Sequence, residues 1–467
     1  MNILPFLTCL PNLLTGTAIR RLETVASAML CASGKSTQLG ISRWTEKGGS
    51  YRTVQRLFHS DIPWDKALQQ YYLSHHHDPA SPNILIADET VVSKSGKTTY
   101  GLDRFYSSMA SKPIPGVAIF TIAIANINQR EAIPISFEQV IRTEEEKAAA
   151  KERTKARKVA HQLAKARKKE NATADAPRKK AGRPKGSKNK NKAETTRSPE
   201  LSRIFDQIKR VLNAKTGAQA VTHIAMDGHF GNQPACKMVR DTGLHLISKL
   251  RSDAKLFMEP TAKEKREHPR LKYGQRLVYE NLPESARVLS IEKDGVREEL
   301  YELTCLHADF PDKLRLSILV RTNLKTGKQI SNTNFFSTDL TLSAVYLFDC
   351  YTLRFQIEFI FRDAKQHFGL EDFMSVKERS VTNSIGLSFF MASLARAMLK
   401  PLRKEFPEAG ILDLKSYARG KRYFSEVMKC LQEKPEAINS DWLSERIARL
   451  GFIHSNSGST SPVFAST

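Results

Sequence analysis

Cysteine is scarce in this chain and never occurs as a close pair. Six cysteines are spread over 467 residues, and there is no Cys-x-x-Cys spacing. Zinc sites and disulfide frameworks need cysteines at short, recurring intervals, so neither is predicted. This usage is typical of a protein from a reducing cytoplasm. The cysteines are Cys9, Cys31, Cys236, Cys305, Cys350 and Cys430.

Long apolar runs are also missing. Residues 1–11 are apolar, but they lack a basic flank and are interrupted by Pro5 and Pro11, so a signal peptide is not predicted. The longest apolar-rich stretch, residues 385–399, contains Arg396 and is too short to span a bilayer. We expect this stretch to form a core helix, and we expect no membrane partner.

Acidic residues are too few to balance the basic ones. The chain holds 73 Lys or Arg against 49 Asp or Glu, which gives a formal net charge of +24 and a pI near 9.7. Such an excess predicts a polyanionic partner, with nucleic acid as the first candidate. The length and the 40% hydrophobic content allow a large core and two or three domains.

Half of the charge excess lies in residues 142–200, which contain 20 Lys or Arg and 8 Asp or Glu. The segment opens with a helix-forming run, residues 144–169, and then loses almost all apolar side chains up to residue 199, which predicts partial disorder. Within it, residues 181–190 resemble an AT-hook, whose Arg183 and Lys185 would enter a narrow A/T-rich minor groove. Nonspecific attraction to phosphates is the alternative explanation.

A second group of polar residues lies on an apolar segment, residues 351–365. At about 100° per residue, Arg354, Glu358 and Lys365 fall within a sector about 60° wide, close to Tyr351. Most other positions are large and apolar, which predicts a buried helix whose charged groups need partners or a metal ion. An internal salt-bridge ladder, with Arg354 and Glu358 paired one turn apart, is one interpretation. A functional site is the other.

The spacing of these four residues resembles the YREK signature of DDE transposases from the family-four bacterial insertion sequences. Tyr351, Arg354, Glu358 and Lys365 match it at all four positions. The resemblance implies that Glu358 is the third carboxylate of a catalytic triad, preceded by two aspartates at strand ends. It also implies that Tyr351, Arg354 and Lys365 contact DNA phosphates near the scissile bond.

Two aspartates meet this requirement. Asp88 follows the apolar run of residues 83–87, and Asp227 follows residues 223–226. Each run predicts a buried strand that presents a carboxylate near its C-terminal end. Glu89 is a second acidic residue at the first position, but alternation along a strand directs it to the opposite face, so Asp88 is assigned to the triad.

The predicted elements form an α/β fold with an α+β mixed sheet. Their order is that of a ribonuclease H-like catalytic core, an assignment that depends partly on the resemblance. Alternating patterns between residues 276 and 338 predict a β-rich insertion before Glu358, which the resemblance also implies. The core strands are expected at residues 84–92, 116–127, 131–140, 223–227 and 244–250, and the core helices at 199–214 and 233–241.

Helical regions are expected on both sides of this core. The N-terminal helices carry basic side chains, as a small DNA-binding module would, although a helical subdomain that covers the core would look similar. C-terminal helices are expected at residues 385–406 and 423–450. The predicted organisation is a helical N-terminal region (1–80), the first part of the core (81–141), the basic insertion (142–200), the second part of the core (201–250), the β-rich insertion (251–340), the YREK helix (341–375) and a C-terminal helical region with a tail (376–467).

The resemblance implies metal-dependent chemistry on DNA. Three carboxylates suit two Mg²⁺ or Mn²⁺ ions, with Asp88 on both ions and Asp227 and Glu358 on one each. The implied partners are double-stranded DNA, as terminal inverted repeats and as target, and a second copy of the chain in a synaptic complex at the nucleoid of a bacterial cytoplasm. Two alternatives are a metal-dependent nuclease that does not join DNA and a transposase-derived DNA-binding protein without catalysis.

Tryptophan is missing from one place where the resemblance implies it. Relatives stack a tryptophan of the β-rich insertion on a flipped base while a DNA hairpin forms, but the tryptophans here are Trp44, Trp64 and Trp442. Phe257 or Phe335 can present an aromatic face instead. The sequence therefore leaves open whether the flanking DNA is released through a hairpin.

Overall fold

A computed structural model of the protein describes residues 2–45, 49–107, 110–171, 197–214, 220–430 and 440–448. Within these ranges the chain forms eleven strands and thirteen α-helices. The strands are β1 (Asn83–Ser93), β2 (Asp103–Ser107), β3 (Lys112–Asn126), β4 (Glu131–Gln139), β5 (His223–Met226), β6 (His245–Leu250), β7 (Leu256–Phe257), β8 (Arg287–Lys293), β9 (Val296–His307), β10 (Leu314–Asn323) and β11 (Gln329–Ser337). The helices are α1 (Gly16–Cys31), α2 (Gln38–Ser42), α3 (Tyr51–Phe58), α4 (Trp64–His75), α5 (Glu144–Asn171), α6 (Pro199–Asn213), α7 (Gln233–Asp241), α8 (Ala262–Glu267), α9 (Ala344–Leu353), α10 (Gln356–His367), α11 (Glu378–Glu405), α12 (Ile411–Cys430) and α13 (Ser440–Ala448).

Five strands form the core of the sheet, in the order β4-β3-β1-β5-β6. β1, β3 and β4 are antiparallel neighbours, whereas β5 is parallel to β1 and β6 is parallel to β5. Parallel neighbours need crossover connections, which contain α6 and α7 here. This is the predicted mixed α/β architecture, and its strand order is that of a ribonuclease H-like core.

The two faces of the sheet are buried under different helices. Ile86 and Val92 of β1 lie in a core shared with α10 and α11, whereas Leu85 and Ala87 lie in a second core shared with α6 and α7. This alternation is the two-residue period of a β-strand. Because both faces are covered, the core strands appear in the sequence as apolar runs.

The β-rich insertion continues the core sheet. β11 pairs antiparallel with β6, with Phe335 opposite Lys249, and β10 and β9 follow outwards from it. The described strands thus form one sheet of eleven. The alternating pattern does not become a strand at its start. Arg276 makes a single bridge to Phe257, and the chain then enters a 3-10 turn, Tyr279–Asn281.

α11 connects the N-terminal helices to the C-terminal ones. Asn383 of α11 accepts a hydrogen bond from Trp64 Nε1 (2.8 Å) and donates to the carbonyl oxygens of Phe58 (2.9 Å) and Ser60 (2.8 Å). The Trp64 ring packs so closely on Gly386 that a Cβ there would lie 2.3 Å from it. The helices α1, α3 and α4 therefore share one hydrophobic core with α11 and α12.

α11 is also the most apolar long helix of the protein. Among the described helices it alone is long and apolar enough to cross a membrane, and 78% of its apolar window is buried inside the protein. Its buried residues contact β4, α4 and α10, which is the packing of a core helix. The core helix predicted at residues 385–399 is confirmed, although it extends over 28 residues.

The basic segment begins with a helix, as predicted. α5 spans 28 residues, and the side chains described in its second half are exposed. Glu146 in its first turn forms an ion pair with Arg203 of α6 at 3.0 Å, which anchors this end of the helix to the core. The AT-hook-like string, with Arg183 and Lys185, falls in residues 172–196, outside the described ranges.

Candidate active site

Asp88 and Asp227 lie on neighbouring parallel strands. β1 pairs with β5 so that Ala87 lies opposite Met226, which places the next residue of each chain segment, Asp88 and Asp227, side by side. β5 ends here, as predicted, but β1 continues to Ser93. Asp88 therefore lies in the middle of a strand and not at its end, where the pairing with β3 continues and the pairing with β5 has just stopped.

Local contacts determine where Asp227 stands. Its carboxylate accepts a hydrogen bond from the His229 N–H at 3.0 Å and caps the 3-10 turn that follows β5. Ser248 Oγ donates to the Asp227 carbonyl oxygen at 2.7 Å. At Gly231 the chain passes so close to the sheet that a Cβ would lie 2.2 Å from the Lys249 carbonyl oxygen, so a larger residue requires the backbone to move.

Glu358 lies on α10, which packs over β1. The sequence predicted one helix across residues 351–365, but the structure has a break between α9 and α10, with Arg354 at the junction. The Arg354 guanidinium donates from Nη1 to Asp88 Oδ2 at 2.5 Å and from Nη2 to Glu358 Oε1 at 3.2 Å. The one-turn salt bridge of the ladder interpretation is thus present, and the same cation extends it to an aspartate on a distant strand.

Tyr351 of α9 and Lys365 of α10 connect these two helices to the sheet. The Tyr351 ring is buried, with its centroid 4.8 Å from that of Phe335 on β11. Lys365 Nζ donates to the Val91 carbonyl oxygen at 3.0 Å and lies 3.5 Å from Glu371 Oε1. Lys365 therefore connects α10 to the C-terminal half of β1.

The electrostatic state of Asp88 is set by its surroundings. Burial raises the pKa of Asp88 to about 6, and the carboxylates of Asp227 and Glu358 act in the same direction. The Arg354 guanidinium and the Glu89 N–H favour the ionised form and oppose this rise in pKa. Functional sites often contain such a carboxylate, whose loss of hydration on burial is only partly offset by neighbouring positive groups and hydrogen bonds.

A comparison with known families assigns most of the chain to one family. Residues 5–300 match the family described as DDE superfamily endonuclease. The chain belongs to that family. The matched residues include Asp88 and Asp227 and end before the YREK motif, so the resemblance to the family-four insertion sequences rests on the motif itself. A search of curated proteins found no match.

The carboxylates of this DDE endonuclease fit hard divalent cations in their chemistry. Asp88, Asp227 and Glu358 offer the oxygen ligands that Mg²⁺ and Mn²⁺ prefer. Across the described residues, no three His, Cys, Asp or Glu side chains are grouped closely enough to hold one ion. Arg354 lies between two of these carboxylates, with its guanidinium bonded to Asp88 Oδ2 and Glu358 Oε1.

A cleft of about 830 Å³ opens beside the two aspartates on the α6 side of the sheet. Seven carboxylates and two arginines lie in its walls, among them Glu89 and, from the first turn of α6, Glu200. The Glu200 carboxylate lies 3.3 Å from His229 Nε2. Glu200 and His229 were not predicted from the sequence, because no local pattern marks two residues that meet only when α6 packs on the sheet.

Glu89 lines this cleft next to Asp88. The walls of the cleft withdraw its carboxylate from water and, together with Glu200 and Asp88, raise its pKa to about 7, although Arg142 opposes the shift. The unfolded chain has the ordinary pKa of 4.5. Between these two pH values the folded endonuclease keeps a proton that the unfolded chain loses, so the stability contributed by Glu89 falls as the pH rises.

Glu89→Gln is therefore expected to stabilise the endonuclease more at pH 8 than at pH 5, because glutamine does not ionise. Urea unfolding midpoints of variant and wild type at both pH values measure the effect. The exposed Glu408→Gln serves as the control and should show no such pH dependence. If Glu89→Gln shifts the urea midpoint equally at pH 5 and pH 8, the raised pKa of Glu89 is contradicted.

The aromatic residues predicted to replace a missing tryptophan are differently placed. Phe335 is only 6% exposed under α9, and Phe257 lies on β7 at the far edge of the sheet. Phe355 and Phe359, beside Glu358, are exposed over 51% and 40% of their surface. Phe335 therefore offers no free ring face for stacking. Exposed aromatic rings are found at Phe355 and Phe359 beside Glu358, and at Tyr106, which is 64% exposed and lines the same cleft as Asp88 and Asp227.

Proposed function

We propose that this DDE endonuclease is a DNA transposase that cuts at the ends of a mobile element and joins those ends to target DNA. The supporting observation is that Asp88, on a strand next to that of Asp227, is joined through one guanidinium to Glu358 from a distant helix. Membership of an endonuclease family agrees with chemistry on DNA. One such site serves both steps, since water and a DNA 3′-hydroxyl attack phosphorus in the same in-line geometry.

Asp88, Asp227 and Glu358 would hold two Mg²⁺ or Mn²⁺ ions in this function, with Asp88 on both. Such ions, when bound, make the attacking oxygen more nucleophilic and stabilise the oxygen that leaves phosphorus. The protein itself holds the carboxylates in place. Asp88 is paired with Thr121 of β3 and directly follows the last residue of β1 that pairs with β5, and the turn after β5 fixes Asp227.

We infer that DNA reaches the triad from the α10 side. The cleft on the α6 side holds five carboxylates besides Asp88 and Asp227, and these repel phosphates. On the α10 side, Arg354 lies at the triad, and Arg130 and Arg362 have side chains that are 49% and 54% exposed. The phosphate contacts predicted for Tyr351, Arg354 and Lys365 belong to this side, where Tyr351 and Lys365 also hold the helices that present Arg354.

Replacing residues 172–196 by an uncharged Gly-Ser segment of the same length is expected to weaken DNA binding and to flatten its salt dependence. These residues contain eight Lys or Arg and two acidic residues. For each phosphate that the protein no longer neutralises, the slope of log K against log salt becomes shallower by about 0.9. The replacement preserves Ser198, which caps α6, and the ion pair between Arg197 and Asp241.

Fluorescence anisotropy of a labelled duplex at several salt concentrations measures this effect. A/T-rich and G/C-rich duplexes of equal length show whether Arg183 and Lys185 enter a minor groove or contact phosphates only. A larger loss of affinity on the A/T-rich duplex indicates minor-groove contact. An unchanged salt slope would exclude the segment from phosphate binding.

Transposition joins two ends to one target, so we propose that the protein acts as a homodimer in a synaptic complex. Its partner is double-stranded DNA, both as terminal inverted repeats and as target. We place this activity at the nucleoid in a bacterial cytoplasm.

The test is a cleavage and joining assay with purified full-length protein, Mg²⁺ and a labelled duplex that carries the end of the element beside flanking DNA. Wild type is expected to cut at the junction and to form joined products with target DNA, whereas Glu358→Gln binds the duplex and does neither. Cuts without joining would indicate a nuclease. Binding without cuts by wild type would indicate a DNA-binding descendant, and normal cleavage by Glu358→Gln would remove Glu358 from the triad.

A further inference from the structure

We propose that Arg354 is a built-in counter-ion that divalent cations must displace from the triad, and that the displaced guanidinium then binds a DNA phosphate. This inference rests on the proposed function, because it concerns the ions and the DNA of the same site. It assigns to Arg354 a positioning role that changes between the free and the DNA-bound protein.

The contacts of Arg354 indicate that a divalent cation must displace its guanidinium before the cation can bind these carboxylates. Its guanidinium bonds Asp88 at 2.5 Å and Glu358 at 3.2 Å, and its side chain is only 9% exposed. Mg²⁺ requires ligand oxygens at about 2.0–2.1 Å in a nearly octahedral shell. An oxygen directed at a guanidinium cannot direct the same lone pair at an ion, and two cations at this spacing repel each other.

The Arg354 side chain also lacks one of the hydrogen bonds that it can make. Its Nε is buried and has no hydrogen-bond partner in the part of the chain that the structure describes. A buried donor without a partner is costly, so a guanidinium with a purely structural role would be expected to bond all three of its nitrogens. Moving Arg354 out of this position therefore breaks fewer hydrogen bonds than moving a fully bonded arginine would.

A route outwards is visible on the α10 side. The Arg354 guanidinium carbon lies 5.0 Å from the centre of the Phe355 ring, and Phe355 is half exposed. The Glu358 side chain is 48% exposed in the same region. An arginine keeps favourable contact with an aromatic face while it turns towards solvent, where a phosphate offers a bidentate partner.

This arrangement couples metal binding to DNA binding. A phosphate that captures Arg354 frees two carboxylates for ions, and ions that occupy those carboxylates release Arg354 for the phosphate. By linkage, each ligand then raises the affinity for the other. In the absence of DNA the guanidinium keeps the affinity for metal low, which limits cleavage at places other than the bound end.

The experiment is a titration of the full-length protein with Mn²⁺ in the absence of DNA, followed by the electron paramagnetic resonance signal of free Mn²⁺. Arg354→Gln is expected to bind Mn²⁺ roughly tenfold more tightly than wild type, since charged hydrogen bonds that compete with the ion are removed. The same variant is expected to cut DNA more slowly, because glutamine offers the phosphate no positive charge. Gain of metal affinity with loss of cleavage is a combination that a merely structural arginine does not produce.

Arg362→Gln is the matched control. Arg362 lies one turn beyond Glu358 on the same helix, is 54% exposed, and carries the same charge. Its variant is expected to bind Mn²⁺ like wild type, which separates displacement of a bonded cation from a general change in charge. Equal gains in Arg362→Gln and Arg354→Gln would overturn the proposal.

Further outcomes separate this inference from the proposed function. In one outcome, Glu358→Gln abolishes Mn²⁺ binding, whereas Arg354→Gln leaves it unchanged or weakens it. This result would overturn the role of Arg354 and keep the triad as the metal site. If Glu358→Gln does not change Mn²⁺ binding, both the role of Arg354 and the metal site of the proposed function are overturned. If Arg354→Gln fails to fold by circular dichroism, Arg354→Lys decides, because lysine lacks the planar fork with which arginine bonds Asp88 and Glu358 together. Tighter Mn²⁺ binding than wild type supports displacement, and equal or weaker binding overturns it.

Discussion

Asp88→Asn is expected to reduce DNA cleavage by about a thousandfold or more while leaving binding of the element's end intact. Metal ions held by carboxylates contribute several kcal/mol to stabilising the transition state, and each 1.36 kcal/mol corresponds to about a factor of ten in rate. Asparagine keeps the shape of the side chain but loses the charge that holds the ions. Single-turnover cleavage of an end duplex, with binding measured separately by anisotropy, gives the two quantities.

Asp88→Asn is not expected to destabilise the protein. The pKa of Asp88 is raised to about 6 in the folded state against an ordinary value of 3.8, so its ionisation above pH 6 costs folding free energy. The neutral variant should therefore unfold at an equal or higher urea concentration at pH 8. Loss of cleavage together with retained stability is the signature of a residue kept for function.

Glu89→Gln is the matched control for this prediction. Glu89 is the next residue of β1 and lines the same cleft as Asp88, but alternation along the strand directs its side chain to the α6 face. Its variant is expected to cut DNA within severalfold of wild type. Cleavage by Asp88→Asn at the wild-type rate, or loss of cleavage in Glu89→Gln alone, would move the ligand role to the opposite face of β1.

Asn383→Ala is expected to lower the free energy of unfolding by about 3–5 kcal/mol, since each buried polar group left without a partner costs about 1–3 kcal/mol. Asn383 is 2% exposed and bonds the Trp64 indole and the carbonyl oxygens of Phe58 and Ser60. Alanine removes all of these bonds and leaves a small cavity between α4 and α11. Urea unfolding followed by tryptophan fluorescence measures the loss, and Trp64 reports directly on the altered site.

The neighbouring variant Thr382→Ala is the control. Thr382 lies on the same helix and is only half-buried, so its replacement is expected to change stability by no more than about 0.5 kcal/mol. A loss below about 1 kcal/mol for Asn383→Ala would show that hydrophobic packing of Trp64, and not the hydrogen bonds, holds the N-terminal helices to α11.

Much of the fold was predictable because burial leaves a local trace in the sequence. β1 and β3 to β6 are apolar runs since both of their faces are covered, and α6 and α7 begin and end within a residue or so of the predicted bounds. β2 was missed because its five residues, Asp103–Ser107, are mostly polar, and only pairing with β3 makes them a strand. The helix predicted at 423–450 differs as well, since α12 already begins at Ile411.

The candidate site was predictable only in part, for a physical reason. Asp88, Asp227 and Glu358 were predicted as site residues from apolar runs and from the spacing of one motif. The bond between Arg354 and Asp88 joins residues 266 positions apart, and its existence depends on how α10 packs over β1. The break between α9 and α10 carries neither proline nor glycine, so no local signal marked the turn that aims the guanidinium.

The contact between Trp64 and Asn383 has a consequence for synthesis of the protein. The two residues are 319 positions apart. A ribosome that adds about 5–20 residues per second needs roughly 16 to 64 s to cover that distance. During that interval the nascent chain exposes the apolar faces of its first helices, which are targets for chaperones and proteases. A chain that ends before α11 therefore cannot close the core that α1, α3 and α4 share with it, and this core forms only after α11 has been synthesised.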